Sequence, residues 1–171
     1  INESRQTSLL GRKEVLTGKA KFGIFGDGKE IAQLAMAKQF QNGDFRTGYY
    51  RDQTFMFASG MSNVEAFFAQ LYANPDVEAE PSSAGRQMNG HYGTRFVDQN
   101  GQWKEQAYMK NCSSDISPTA GQMVRGLGLA FASKLYRRQE DLHLETSFSN
   151  KGNEVCFTTI GDASTSEGLF W

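Results

Sequence analysis

In this 171-residue sequence, G-D-A-S-T-S-E-G over residues 161–168 gathers two acids, three hydroxyls and two glycines into one short turn. The run before it, E-V-C-F-T-T-I over residues 154–160, is apolar and β-branched with no charge after Glu154. It predicts a strand buried on both faces, as in a parallel sheet. A strand that feeds a small-residue turn and then a helix presents backbone N–H groups at the carboxyl end of a sheet, where anions, phosphates above all, bind. An acid at that place, Asp162, makes sense when a divalent cation lies between it and the phosphate, because it would otherwise repel the anion. Taken alone, the same residues serve equally well as helix caps, with Asp162 and Ser164 in that role.

Three further stretches hold side chains able to do chemistry. In Q-N-G-D-F-R-T-G-Y-Y-R-D-Q-T over residues 41–54, Gly43 and Gly48 bracket a loop that presents Tyr49, Tyr50, Arg51 and Asp52. A Tyr–Arg pair suits a phosphate, since the guanidinium forks onto its oxygens and the phenol adds a neutral donor. Without other information this stretch reads better as a surface Arg51–Asp52 patch beside a core tyrosine. In G-R-Q-M-N-G-H-Y-G over residues 85–93, three glycines hold Arg86, His91 and Tyr92 in irregular backbone. Polar and aromatic groups on such loops are more often functional than core groups are. His91 is one of two histidines, the residue type whose charge changes near neutral pH. The other, His143, lies in a polar stretch and is assigned to a solvated loop. In N-C-S-S-D-I-S-P-T over residues 111–119, Ser117 suits a helix cap and Pro118 a first turn. Met123, Leu127, Ala130 and Phe131 then share a helical face. Gly121, Gly126 and Gly128 cost that helix propensity, which close approach of a ligand or tight packing against another element would each explain.

The elements that must position these groups are mostly helices. Residues 1–21 read as the tail of a polar helix anchored by Leu9, Leu10, Val15 and Leu16. F-G-I-F-G-D-G over residues 22–28 is a structural turn and cap, because its apolar run is too short and glycine-broken for a core strand. The helix after it groups Ile31, Leu34, Ala35 and Lys38. A Ser62/Glu65 capping box opens another helix, whose stripe of Val64, Phe67, Phe68, Leu71 and Tyr72 is packing surface and which Pro75 ends. Residues 76–84 are an acidic surface loop.

A net charge of -1 points to no nucleic-acid or membrane-surface partner, and no apolar run approaches the roughly 18 residues of a membrane helix. Cys112 and Cys156 do not form a disulfide framework, which fits a reducing compartment. The length suffices for one domain with a good core. Leu169, Phe170 and Trp171 close the sequence on apolar residues directly after a core strand, the mark of a fragment of a longer chain.

Five of these stretches, in order along nearly the whole sequence, carry a resemblance: the G-D-G-K-E turn at residues 26–30, Tyr49-Tyr50-Arg51, G-R-Q-M-N-G-H-Y-G, Ser117-Pro118 with Gln122, and G-D-A-S-T-S-E-G. Together they resemble the α subunit, or α portion of a fused chain, of the thiamine-diphosphate-dependent decarboxylating component of 2-oxo acid dehydrogenase complexes, closest to the branched-chain type. The resemblance implies an α/β, thiamine-diphosphate-binding fold, a parallel sheet flanked by helices, with residues 1–171 as the N-terminal part of one such domain, truncated at its C-terminal end. It implies oxidative decarboxylation of a 2-oxo acid with acyl transfer to a lipoyl group, using thiamine diphosphate and Mg2+. Carried over by position, Tyr50 and Arg51 contact the diphosphate, and Ser117 and Thr119 border the aminopyrimidine. Asp162 binds the metal, the backbone at Ala163 and Ser164 donates hydrogen bonds, and His91 lies near substrate or cofactor. Ala163 departs from the family's usual glycine, and Ile116 and Gly121 stand where potassium-binding members carry oxygen ligands, so that ion is not expected. The implied partners are a β subunit or β portion, which supplies the glutamate that activates the pyrimidine, and a lipoyl-bearing acyltransferase. The assembly is a heterotetramer or a homodimer of fused chains, in the bacterial cytoplasm or, in a eukaryote, the mitochondrial matrix, and the isolated fragment is inactive. The alternatives are a pyruvate or acetoin dehydrogenase α subunit and a non-catalytic phosphate-binding relative.

Overall fold

The central strand of the sheet lies where patterning predicts a loop. In the computed structural model, which describes residues 1–171, β1 (Phe45–Thr47) is flanked by β2 (Asn111–Cys112) and β3 (Cys156–Thr158), all parallel, in the order β2-β1-β3. The charges that disguise β1 are neutralised in place. Arg46 Nη1 donates to both carboxylate oxygens of Asp115 at 2.9 Å each, and its Nη2 donates to the Tyr49 carbonyl at 2.9 Å. A buried charge is tolerated when it is paired and fully hydrogen-bonded in this way. Asp44, also buried, accepts from the backbone N–H groups of Gln41 (2.9 Å) and Val155 (2.7 Å), which ties the start of β1 to that of β3.

The expected strand over residues 154–160 is present but shorter, and its three residues are half-buried instead of buried on both faces. The physical reason is its place at the sheet edge. Helix α5 (Gly121–Arg138) covers β1 and β3. Its Gly126 lets it sit down closely: a Cβ there would lie 2.4 Å from Thr158 Oγ1 and 3.0 Å from Thr47 Cγ2. Tight packing therefore explains that glycine. The helix begins at Gly121, after Ala120 at φ +66°, so Ser117 is not its cap. The face drawn from Met123, Leu127, Ala130 and Phe131 turns outward, with Leu127 72% exposed, because the small Gly121 and Gly126 and the hydrogen-bonded Gln122 face inward. These elements belong to a compact unit of Gln41–Tyr49 and Thr94–Trp171. Both tryptophans, Trp103 and Trp171, lie in it and are exposed.

The second unit, Ile1–Phe40 with Tyr50–Gly93, is helical: α1 (Asn2–Leu16), α2 (Glu30–Gln39), α3 (Gln53–Ser59) and α4 (Val64–Leu71). Here the buried helix faces are polar. α1 buries Ser4, Thr7, Ser8, Gly11 and Glu14 and exposes Leu9, Leu10 and Leu16, so of the four expected anchors only Val15 packs against the core. Gln53 explains the inversion. Its Nε2 reaches the Ser4 carbonyl (2.8 Å), Ser4 Oγ (3.0 Å) and Ser8 Oγ (2.9 Å), so hydroxyls on α1 are satisfied inside. Likewise α2 turns Glu30, Gln33 and Ala37 inward and Ile31 outward. Glu30 accepts two hydrogen bonds from the Arg5 guanidinium (2.6 and 2.9 Å) and one from the Gly28 N–H (2.9 Å), so the G-D-G segment is a turn, as expected, while the N-cap of α2 is Lys29, with no side-chain cap hydrogen bond. On α4, Phe67 and Leu71 pack with Ala20 and Phe25 as the stripe requires. Its cap is Asn63, whose Oδ1 accepts from the Ala66 N–H at 2.8 Å, one position past the expected box. The acidic stretch after α4 is not wholly a surface loop, since Glu80 is buried. No helix is long and apolar enough to cross a membrane, and both cysteines are free.

Candidate functional site

In the helical unit, the Tyr50–Arg51 dipeptide is clasped by two glycines. A Cβ on Gly90 would lie 2.3 Å from the Tyr50 carbonyl oxygen, and one on Gly26 would lie 2.2 Å from the Arg51 carbonyl oxygen. Gly90 also sits at φ +82°, a conformation side-chain-bearing residues rarely adopt. Two glycine-rich segments thus press directly on consecutive peptide groups of one dipeptide. Gln33 Nε2 donates to the same Arg51 carbonyl (2.9 Å) and Gln33 Oε1 accepts from the Phe55 N–H (3.1 Å). Asn89 reads both sides of Ile24, accepting from its N–H (3.0 Å) and donating to its carbonyl (2.8 Å). Nothing in the residue pattern marks Gln33 or Asn89, because buried amides in these roles leave no periodic signal.

The clasp holds three of the expected groups together. The His91 ring stacks on Tyr50 with centroids 6.2 Å apart and 19° between planes. Arg51 Cζ lies 5.5 Å from the centroid of the same Tyr50 ring, a cation–π arrangement. His91 is only 2% exposed, and its Nδ1 lies 3.2 Å from the Met88 carbonyl oxygen. The Arg51 guanidinium makes one hydrogen bond, Nη1 to the Phe25 carbonyl (3.3 Å), and pairs with no carboxylate. Asp52 is buried, so the surface Arg51–Asp52 patch is not formed. Arg86 is exposed.

In the sheet unit, parallel pairing sends the carboxyl ends of all three strands to one edge. The G-D-A-S-T-S-E-G turn follows β3 there as a 3-10 helix, Asp162–Ser166. Beyond it, Leu169 and Trp171 are exposed. Asp162 and Ala163 face solvent, while Ser164 is buried and its N–H donates to the Gly161 carbonyl at 3.1 Å. The Asp162 carboxylate makes no ion pair or hydrogen bond, although its carbonyl accepts from Thr165 Oγ1 at 2.6 Å. Ala163 has an ordinary negative φ, so its methyl brings no backbone strain to this turn. Tyr49 lies against the turn: a Cβ on Gly161 would come within 2.9 Å of Tyr49 Oη. Ser117 and Thr119 are exposed in the bend before α5, and Gln122 Nε2 ties α5 to the end of β3 through the Thr159 carbonyl (3.1 Å). Beside that bend is an open, mainly apolar groove of about 420 Å³, lined by Ile116, Pro118, Gly121, Val124, Arg125 and Leu169. His143 is half-buried in a 3-10 helix, Glu140–Leu144, with Nε2 shielded and unpartnered, not on a solvated loop.

The expected residues therefore fall into two sets, one in each unit. Tyr50, Arg51 and His91 form one, and Ser117, Thr119, Asp162, Ala163 and Ser164 belong to the other. No three His, Cys, Asp or Glu side chains gather as a metal cage. A cation at Asp162 would take its other ligands from water and ligand oxygens, which is how Mg2+ is commonly held beside phosphates.

The chain resembles known proteins over most of its length. The chain is 26% identical over 155 residues to the 2-oxoisovalerate dehydrogenase subunit alpha of Bacillus subtilis (strain 168), in an alignment that covers 90% of this chain and 38% of that protein. It thus spans less than two-fifths of the length of that curated relative. The model of the family described as dehydrogenase E1 component matches residues 7–171, from α1 through the clasped dipeptide to the Asp162 turn. The chain belongs to the dehydrogenase E1 component family.

Proposed function

We propose that these residues are the N-terminal part of one thiamine-diphosphate-binding domain of an α subunit, or α portion of a fused chain, in a 2-oxo acid dehydrogenase complex. The protein decarboxylates a 2-oxo acid oxidatively and passes the acyl group to a lipoyl group on an acyltransferase. The name of the Bacillus subtilis relative supports a branched-chain 2-oxo acid as substrate. The observation that carries this reading is the state of Arg51. It is fixed by the Phe25 carbonyl and the Tyr50 ring yet has no carboxylate partner. A guanidinium held in place but left un-neutralised is suited to an anion such as a diphosphate.

Bound thiamine diphosphate supplies the electron sink for loss of carbon dioxide from the 2-oxo acid. The chain's own residues position it. Arg51 and Tyr50 hold the diphosphate, with the guanidinium oriented by the Phe25 carbonyl and the Tyr50 ring. Asp162 holds Mg2+ through its free carboxylate. The backbone at Ala163 donates to the anion, that of Ser164 does so on exchanging its Gly161 carbonyl partner, Ser117 and Thr119 border the aminopyrimidine, and His91, stacked on the Tyr50 ring, lies near substrate or cofactor. The β subunit or β portion completes the site, in a heterotetramer or a homodimer of fused chains, so residues 1–171 alone are inactive. The compartment is the bacterial cytoplasm or the mitochondrial matrix.

The test is calorimetric titration of the full-length protein, assembled with its β portion, with thiamine diphosphate and magnesium, beside an Asp162→Ala variant. Saturable, magnesium-dependent binding that the variant loses supports the reading. Absence of binding by the assembled wild type overturns it in favour of a non-catalytic relative.

A further inference from the structure

Glu80 is a carboxylate with no cation beside it, 1% exposed, in a stretch whose acidic character predicts only surface. Neutral donors satisfy it instead. Oε2 accepts from the N–H groups of Ser83 (2.9 Å) and Gly85 (3.0 Å) and from Ser83 Oγ (2.5 Å). Oε1 accepts from the Ser82 N–H (2.9 Å) and lies 3.5 Å from Gln70 Nε2. Burying a carboxylate without a counter-ion is expensive, and it persists only where several oriented donors replace water. The donors here are the residues that lead into the glycine-rich loop over residues 85–93.

Gln70, itself 3% exposed, takes hold of the far end of that loop. Its Oε1 accepts from the Gly90 N–H (2.8 Å) and its Nε2 donates to the His91 carbonyl (2.7 Å). The loop is therefore hung at both ends from two touching side chains, the carboxylate at its start and the amide at its finish. Between them they set the height of Gly90 on the Tyr50 carbonyl and of the His91 ring on the Tyr50 ring. A buried, fully satisfied network of this kind has few alternative arrangements.

We propose that Glu80 is a positioning residue for His91, acting through Gln70 and the turn at residues 82–85 to hold the imidazole shielded and stacked on Tyr50. An amide at this position would aim N–H groups at backbone N–H groups, so Glu80→Gln opens the loop while changing no atom of His91 or Tyr50. The consequence for catalysis rests on the function proposed above, whereas the consequence for His91 accessibility does not.

The experiment reacts the full-length, assembled protein with diethyl pyrocarbonate below its melting transition and follows His91 by peptide mass spectrometry. The expected result is slow modification in the wild type and modification about tenfold or more faster in Glu80→Gln, from loss of charge-assisted hydrogen bonds that hold the loop shut. Glu80→Asp, which keeps the charge, falls between them. Gln70→Met, which leaves the Glu80 turn intact and cuts its link to Gly90 and His91, gives the same rise and keeps the test decisive should Glu80→Gln fail to fold. The double variant is no faster than the faster single one. His143, in the other unit, reacts at the wild-type rate throughout and so reports that folding is retained. His91 protected in both single variants as in the wild type, or additive effects in the double variant, overturns the proposal. In the same preparations a fall in kcat at unchanged affinity for thiamine diphosphate ties the loop to turnover. If the wild type does not turn over 2-oxo acids, the functional reading fails while the accessibility result still decides the role of Glu80.

Discussion

Arg46 and Arg51 lie five positions apart and meet opposite fates. Arg46 is buried, and its charge is cancelled inside the chain by a bidentate Asp115 at 2.9 Å. Arg51 is half-buried and oriented by a carbonyl and an aromatic ring, with its charge left standing. The first arrangement fixes a strand and the second leaves a cation available to a ligand. Burial and paired charge therefore mark where the chain holds itself together, and oriented but unpaired charge marks where it has capacity to hold something else.

The comparison breaks most visibly at Asp115. Asp115→Ala leaves a buried guanidinium unpaired and is expected to cost about 3–5 kcal/mol in chemical denaturation. A loss below about 1 kcal/mol would mean that β1 is held by something other than this pair. Next comes the clasp. Gly90→Ala adds a methyl group 2.3 Å from the Tyr50 carbonyl at φ +82°, and about 1–3 kcal/mol of stability should be lost. The same variant should separate His91 from Tyr50, read as faster exchange of the amides around residue 90.

Arg51→Ala sharpens the contrast. It gives up one hydrogen bond and a cation–π contact, so melting should report a loss of about 1 kcal/mol or less. Affinity of the assembled protein for thiamine diphosphate should nonetheless fall about tenfold to a hundredfold. An Arg51→Ala protein as destabilised as Asp115→Ala would erase the distinction between the two arginines. The smallest effect belongs to an intermediate case, Arg5–Glu30, in which one partner is 46% exposed and the other 5%. The Arg5 guanidinium and the Gly28 N–H hold the Glu30 carboxyl down at about 2, against an ordinary 4.5. A carboxyl depressed on folding contributes stability that is complete above its unfolded value and is lost as pH falls through its folded one. Stability should therefore drop between about pH 4.5 and pH 2 by more in the wild type than in Glu30→Gln. The half-exposed arginine keeps the difference to about 1 kcal/mol or less.

What the residues disclosed, and what they concealed, follows the same physics. Stretches rich in glycine stood out: the G-D-G turn and the loop over residues 85–93 are irregular backbone where expected, and the turn after β3 is a short 3-10 helix. The α4 stripe was legible because Phe67 and Leu71 bury apolar surface at helical spacing. The inward faces of α1 and α2 were not, because two serines, two glutamates and a glutamine are buried there through hydrogen bonds to partners distant in sequence, and hydrophobic periodicity registers only the apolar residues left outside. β1 escaped for a related reason. With Asp44 before it and Arg46 within it, it reads as loop until Asp115 and Val155 are seen to satisfy both charges. Asp162, Tyr50 and Arg51 are singled out by motif, while the Glu80–Gln70 support beneath His91 has no motif and is visible only as distances.

Both indoles of the chain, Trp103 at 63% and Trp171 at 90% exposed, already stand in solvent. Their emission in the folded state should lie close to that of tryptophan in water and shift little on denaturation. Intrinsic fluorescence of these residues would then register almost nothing as the Arg46–Asp115 pair and the phenylalanine core come apart, and far-ultraviolet circular dichroism of the five α-helices is the signal that will follow the loss of structure.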